Sequence, residues 1–140
     1  MDWTVPMHEK QVSLIIYMSY DNCNEKMWKF VQTQNWYGQV EIYYTLEKLC
    51  QRFTQAGNIN AVTVILVASR HELEKIVQYA ELLYDQKIVL VLPDRALQTL
   101  SMAHGLYPRF ISYMDGNLQD VTSVLRKLIS RNQPQPAAIQ

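Results

Sequence analysis

Cysteine is scarce in this chain of 140 residues: only Cys23 and Cys50 occur, far apart and each within a segment of helical character. A disulfide-stapled scaffold is therefore excluded, and we read both as reduced thiols of a cytoplasmic protein, with a lone intramolecular disulfide left open. Glycine is scarcer than a phosphate-cradling loop needs, with four in all and none in a GxGxxG or Walker-type pattern. Charge of either sign is missing in excess, since thirteen basic residues cancel thirteen acidic ones. No stretch gathers Lys and Arg, so neither nucleic acid nor an anionic membrane surface is an expected partner. No run reaches the roughly 18 consecutive apolar residues of a membrane span, and the opening "MDWTVPMHEK" has neither the basic region nor the apolar core of a secretory signal. His8 and His104 stand at no metal-ligand spacing to each other or to a cysteine, so no metal and no cofactor is expected.

What the chain has in quantity is apolar sequence, at 49% of residues, enough to bury one full core. Five short apolar runs recur at 12–18, 40–44, 61–68, 88–92 and 110–114, with segments of helical spacing between them. The first helix is expected from about Asn24 to Gln34, with Met27, Phe30 and Val31 inward. Thr45 is a good N-cap for a second helix carrying Leu46, Leu49, Cys50 and Phe53 on one face. Ser69 and Glu72 form a capping-box pattern ahead of one continuous stripe of Leu73, Ile76, Val77, Ala80 and Leu83. Asp94 is expected to cap a shorter helix that Gly105 stops. A last helix opens near Asn117 with Leu118, Val121, Leu125 and Leu128 inward.

Strand and helix in strict alternation predict an α/β domain, a (βα)5 doubly wound parallel sheet covered on both faces, because a parallel connection needs a crossover long enough to hold a helix. "QVEIYY" mixes polar and aromatic residues and reads as an edge strand, whereas strands 1, 3 and 4 read as buried on both sides. Residues 11–130 form the domain, 1–10 an N-terminal lead, and 131–140, with two prolines and no periodicity, a flexible tail.

This order, with "VEIYYTLEKL" entering the second helix and "FISYMDGNLQDVTSVLRKLI" closing the chain, resembles the receiver domains of bacterial two-component response regulators. The resemblance implies a flavodoxin-like sheet of order 2-1-3-4-5. It also implies a phosphorylation pocket at the carboxyl ends of the strands: two acidic groups after strand 1 for Mg2+, an acceptor aspartate ending strand 3, a Ser or Thr after strand 4, and a Lys after strand 5. These work only together, because a carboxylate repels a phosphoryl group unless cations neutralise the charge that builds up in transfer.

Carried over residue by residue, the pattern fails. Asp21 survives after strand 1, with Glu25 one helical turn on. The acceptor position falls at Val67 or Ala68, beside Ser69, and no aspartate occurs from residue 22 to residue 84. The hydroxyl position falls at Leu92, in "VLPD" with Asp94 two residues on. The lysine position falls at Ser112, Tyr113 or Met114, with no lysine between Lys87 and Lys127. The pocket reads as degenerate, the chain as a pseudo-receiver, and no enzymatic activity is expected.

The same positions admit other chemistry. Asp21, Asp94 and Asp115 could share a metal at the strand ends, but an aspartate before a helix more simply caps it. Ser69 with His71 is a poor nucleophile pair when the capping box already explains the serine. Cys23 near a helix start could carry a lowered thiol pKa, without any CxxC to give it redox chemistry. Trp28, Trp36 and Tyr37 near the first helix fit either a partner surface or a cover over one open side of the sheet, and the receiver resemblance implies a contact surface over helix 4, strand 5 and helix 5, matched here by Leu97, Met102, His104, Tyr107 and Tyr113. The function expected is a phosphorylation-independent regulatory module of bacterial signalling that binds a protein partner or itself. The alternative is a small-ligand or nucleotide sensor at the strand-end crevice.

Overall fold

In the computed structural model, which describes residues 12–34, 39–55 and 60–132, five strands form one parallel sheet of order β2-β1-β3-β4-β5. The strands are β1 (Leu14–Met18), β2 (Val40–Tyr43), β3 (Val62–Leu66), β4 (Lys87–Leu92) and β5 (Phe110–Tyr113). The helices are α1 (Glu25–Gln32), α2 (Leu46–Thr54), α3 (Arg70–Val77), α4 (Ala80–Leu83), α5 (Leu97–His104) and α6 (Gln119–Asn132), with a short 3-10 turn at Tyr20–Asn22. The register aligns Leu14 with Val40 on one side and with Val62 on the other, then Val62 with Lys87 and Val89 with Phe110. The parallel α/β sheet expected from the alternation, and the flavodoxin-like strand order implied by the resemblance, are the ones found.

The period-2 alternation of the strands splits the core in two. Leu14, Ile16, Met18, Val62, Val64, Leu66, Val89 and Val91 face α1 and α6, meeting Met27, Phe30, Val121 and Leu125. Ile15, Tyr17, Ile65, Val67, Leu90 and Leu92 face the other side, meeting Leu49, Leu73, Ile76, Leu83 and Ala103. β1 and β3 are buried throughout and β4 from Ile88 onward, while β2 at the edge is only half-buried, as its mixed composition predicts.

Local signals placed most helix starts. Asn24 accepts from the Met27 N–H at 2.9 Å and Thr45 from the Lys48 N–H at 3.2 Å, each satisfying a donor that the first turn leaves open. Two expectations need correction. The stripe from Leu73 to Leu83 is not one helix: at Gln78 and Tyr79 the N–H groups turn to Lys75 and Ile76, i→i−3 bonds that tighten the backbone and separate α3 from α4. No Gly or Pro marks this break; it leaves Leu73, Ile76 and Leu83 all buried. Asp94 is not the N-cap of α5, a place taken by Ala96; the Asp94 carboxylate instead accepts the Ala96 N–H at 2.9 Å, an Asx turn two residues earlier. Gly105 ends α5 as expected, in a right-handed conformation, and Tyr107 just beyond it sits at φ 52°. Helix α6 runs to Asn132. The N-terminal lead at 1–10 and the remaining tail, 133–140, lie outside the described residues.

Candidate functional site: the strand-end crevice

The carboxyl ends of β1, β2 and β3 open onto a crevice of about 310 Å3 between the first turns of α2 and α3. Its walls are the turn after β1 (Ser19, Asp21, Asn22), the β2–α2 junction (Tyr44, Thr45, Leu46) and the start of α3 (Ser69, His71, Glu72, Lys75), with Tyr17 at the base.

Ser69 Oγ accepts the Glu72 N–H at 3.1 Å, so the serine caps α3 as its position predicts. The reciprocal half of the capping box is different. The Glu72 carboxylate reaches one residue further back, where Oε1 accepts the Ala68 N–H at 2.8 Å, and its Oε2 accepts the Tyr17 hydroxyl at 3.2 Å. Glu72 is only 6% exposed and Tyr17 only 3%. A buried carboxylate is tolerated where its oxygens are hydrogen-bonded, and here both are. Burial, and then the charge of Glu72 beside it, push the Tyr17 phenol far above its ordinary range, so it stays a neutral donor.

The remaining strand-end residues fall elsewhere. Val67, at the expected acceptor position, is fully buried and its N–H donates to Val91 at 2.9 Å; Leu92 is equally buried at the end of β4. Ala68 is half-buried. Asp94 is held below the usual carboxylate range by the Thr99 hydroxyl and the Ala96 N–H. Asp115 is likewise lowered, chiefly by Arg95, which grips it with Nε at 3.2 Å and Nη2 at 2.9 Å. The same guanidinium lies 4.1 Å above the Tyr113 ring. At the β5–α6 turn Lys26 of α1 donates its Nζ to the carbonyls of Met114 and, at 2.8 Å, Gly116. The expected pocket residues thus divide. Asp21 and Ser69 line the crevice, Asp94 and Tyr113 join polar clusters over β4 and β5, and Val67 and Leu92 belong to the core. Among the described residues no three His, Cys, Asp or Glu side chains come together in a group able to hold a metal ion.

Sequence reasoning took Glu72 only as half of a capping box. Its second role could not be read from local spacing, since Tyr17 lies 55 positions away. Cys23 is placed structurally: its thiol donates to the Tyr20 carbonyl at 3.3 Å and accepts the Trp28 indole N–H at 3.1 Å. Both cysteines are free, and burial raises the Cys50 thiol above its ordinary value.

The expected partner surface does not form one patch. Trp28 packs against Tyr44, which also meets Tyr20 edge-on, on the β2 side of the crevice. Leu97, 81% exposed, and half-buried Met102 line a groove between α3 and α5. Tyr107 pairs with Tyr84 at 5.5 Å, ahead of β5 and β4 and so at the opposite end of the sheet, while exposed His104 closes α5. Trp36 and Tyr37 lie outside the described residues.

Among the described residues, no helix is long and apolar enough to cross a membrane. No family model matches this chain, and no curated protein matches it. A crystal structure of a "Putative pilus assembly-related protein" from Burkholderia pseudomallei is similar to it, with a TM-score of 0.58 and 14% identity over 91% of this chain and 95% of that one. At that identity the likeness is one of fold, and it places this chain among flavodoxin-like α/β proteins.

Proposed function

We propose that this chain is a phosphorylation-independent, receiver-like regulatory module of bacterial signalling or assembly that acts through protein contact and not through turnover. The observation that carries this reading is the engagement of the strand-end groups. Glu72, which reaches the end of β3, has one carboxylate oxygen on the Ala68 N–H and the other on the Tyr17 hydroxyl. Asp94 is turned back on its own loop and Asp115 is gripped by Arg95. An acceptor carboxylate must instead be free to approach phosphorus beside a cation. The similar fold of a protein described as pilus assembly-related is compatible with a role in assembly or regulation.

Incubation of the purified chain with acetyl phosphate and Mg2+, followed by intact-mass measurement, tests this. The unmodified mass is expected. A phosphate adduct that is lost on mild alkaline treatment, as an acyl phosphate would be, contradicts the reading.

A further inference from the structure

We propose that the groove between α3 and α5 is the contact surface of a symmetric homodimer, its occupant a second copy of the same groove. This rests on the contact-module reading above and names the partner. The groove measures about 590 Å3 and is lined by Arg70, Glu74, Leu97, Gln98, Ser101 and Met102. Leu97 opens α5 with 81% of its surface in solvent, and the fold itself makes no use of it.

Charge argues for a second copy as the occupant. Arg70 and Glu74 stand one turn apart on α3, a spacing at which they could pair along the helix. Arg70 instead points across the groove, its Nε on Thr99 Oγ1 at 3.0 Å and its Nη1 on Gln98 Oε1, while Glu74 faces His71 at 3.8 Å. A guanidinium has five N–H donors, so the one on Arg70 keeps donors in reserve. In an isologous interface residue i meets residue j of the partner, and j meets i. A two-fold axis across the groove midpoint therefore sets Arg70 against the partner's Glu74 twice, and sets Leu97, at the top of α5, over the partner's Ser101 and Met102, one turn lower. A groove of one charge sign would repel its own copy; this one complements it.

Sedimentation velocity over micromolar to millimolar concentrations tests the proposal. The wild-type chain is expected to pass from monomer to dimer. R70E and E74R each place like charges face to face and are expected to weaken dimerisation by at least about tenfold. An equimolar mixture of R70E and E74R re-forms both opposite-charge pairs and is expected to dimerise although neither does alone; the double variant R70E/E74R is expected to do so by itself. Because Arg70 also bonds Thr99 and Gln98, Leu97→Ser, at a side chain 81% exposed and outside both core clusters, provides a control that leaves those bonds in place, with the same loss expected. A wild-type monomer at every concentration, a dimer indifferent to these changes, or a mixture that stays monomeric overturns the proposal. Each of those results leaves phosphorylation independence standing, just as a phosphate adduct would overturn that reading without moving the dimer.

Discussion

Glu72 on the first turn of α3 accepts the phenol hydrogen of Tyr17 on β1 at 3.2 Å, tying together two elements whose residues are 55 positions apart. With the Ala68 N–H on its other oxygen, this carboxylate pins the end of β3 to the start of α3 and to the neighbouring strand. Removing either partner strands a buried polar group, which costs more than the bond itself contributes. Tyr17→Phe and Glu72→Ala are each expected to lower unfolding free energy by about 1–3 kcal/mol in urea titrations. The double variant should lose clearly less than the sum, because the two changes remove one shared interaction.

Alkaline pH probes the same contact. Tyr17 is raised well above its ordinary value of 10.0, first by burial and then by Glu72. Tyr43 is pushed up to about 12, first by burial and then by its hydrogen bond to Glu41, which Arg52 also grips at 2.8 Å. A phenol whose folded pKa exceeds its unfolded one stabilises fully below the unfolded value, and that stability is lost as pH climbs toward the folded value. Going up from neutral pH, stability should therefore begin to fall near pH 9.0, where the unfolded Cys50 thiol ionises and the buried one does not, and fall more steeply from pH 10.0 upward as the two phenols join it. Tyr17→Phe should flatten part of the fall and Tyr43→Phe another part, as measured by urea midpoints at successive pH values.

Val67→Asp puts a carboxylate at the position where the receiver resemblance expects an acceptor. Val67 has no exposed surface and belongs to the core on the α2–α5 side of the sheet. An uncompensated charge there is expected to cost about 3–5 kcal/mol, partly relieved by protonation, without any gain of phosphorylation. Thermal melts and intact mass after acetyl phosphate treatment check both halves.

The helix caps carry modest, separable contributions. Asn24→Ala, Thr45→Ala and Ser69→Ala should each cost about 1 kcal/mol, since each side chain accepts a first-turn N–H that otherwise lacks a partner. Asp94→Ala removes both the Ala96 bond ahead of α5 and the Thr99 hydroxyl contact within it, and should loosen the first turn of α5 without abolishing the helix, as circular dichroism and urea titration check.

The sheet was legible because its causes are local. Runs such as "VTVIL" and "KIVLVL" are apolar on both faces, Thr45 and Ser69 announce helix starts, and alternation of the two element types fixes parallel pairing. The site was legible only as a set of absences. Nothing in the residues around Glu72 reveals that its carboxylate overshoots the capping box to meet Tyr17, and nothing near Met114 reveals that Lys26, 88 positions earlier, binds its carbonyl. The break at Gln78 is silent for the same reason: it is set by seating Leu73, Ile76 and Leu83 together, with no turn residue to mark it. Tyr107 is the reverse case, a bulky residue held at positive φ where sequence favours glycine, two residues beyond the stop at Gly105 that the sequence does announce.

The most direct measurement is a backbone amide NMR titration of the labelled chain with Mg2+ and then beryllofluoride, which mimics a phosphorylated carboxylate and needs a free acidic pocket to bind. Because the Glu72 carboxylate is closed by Ala68 and Tyr17 and Asp115 by Arg95, no saturable shifts are expected at Asp21, Ser69, Glu72, Asp94 or Asp115. Saturable shifts at those strand ends would contradict the account and mark a working acceptor site.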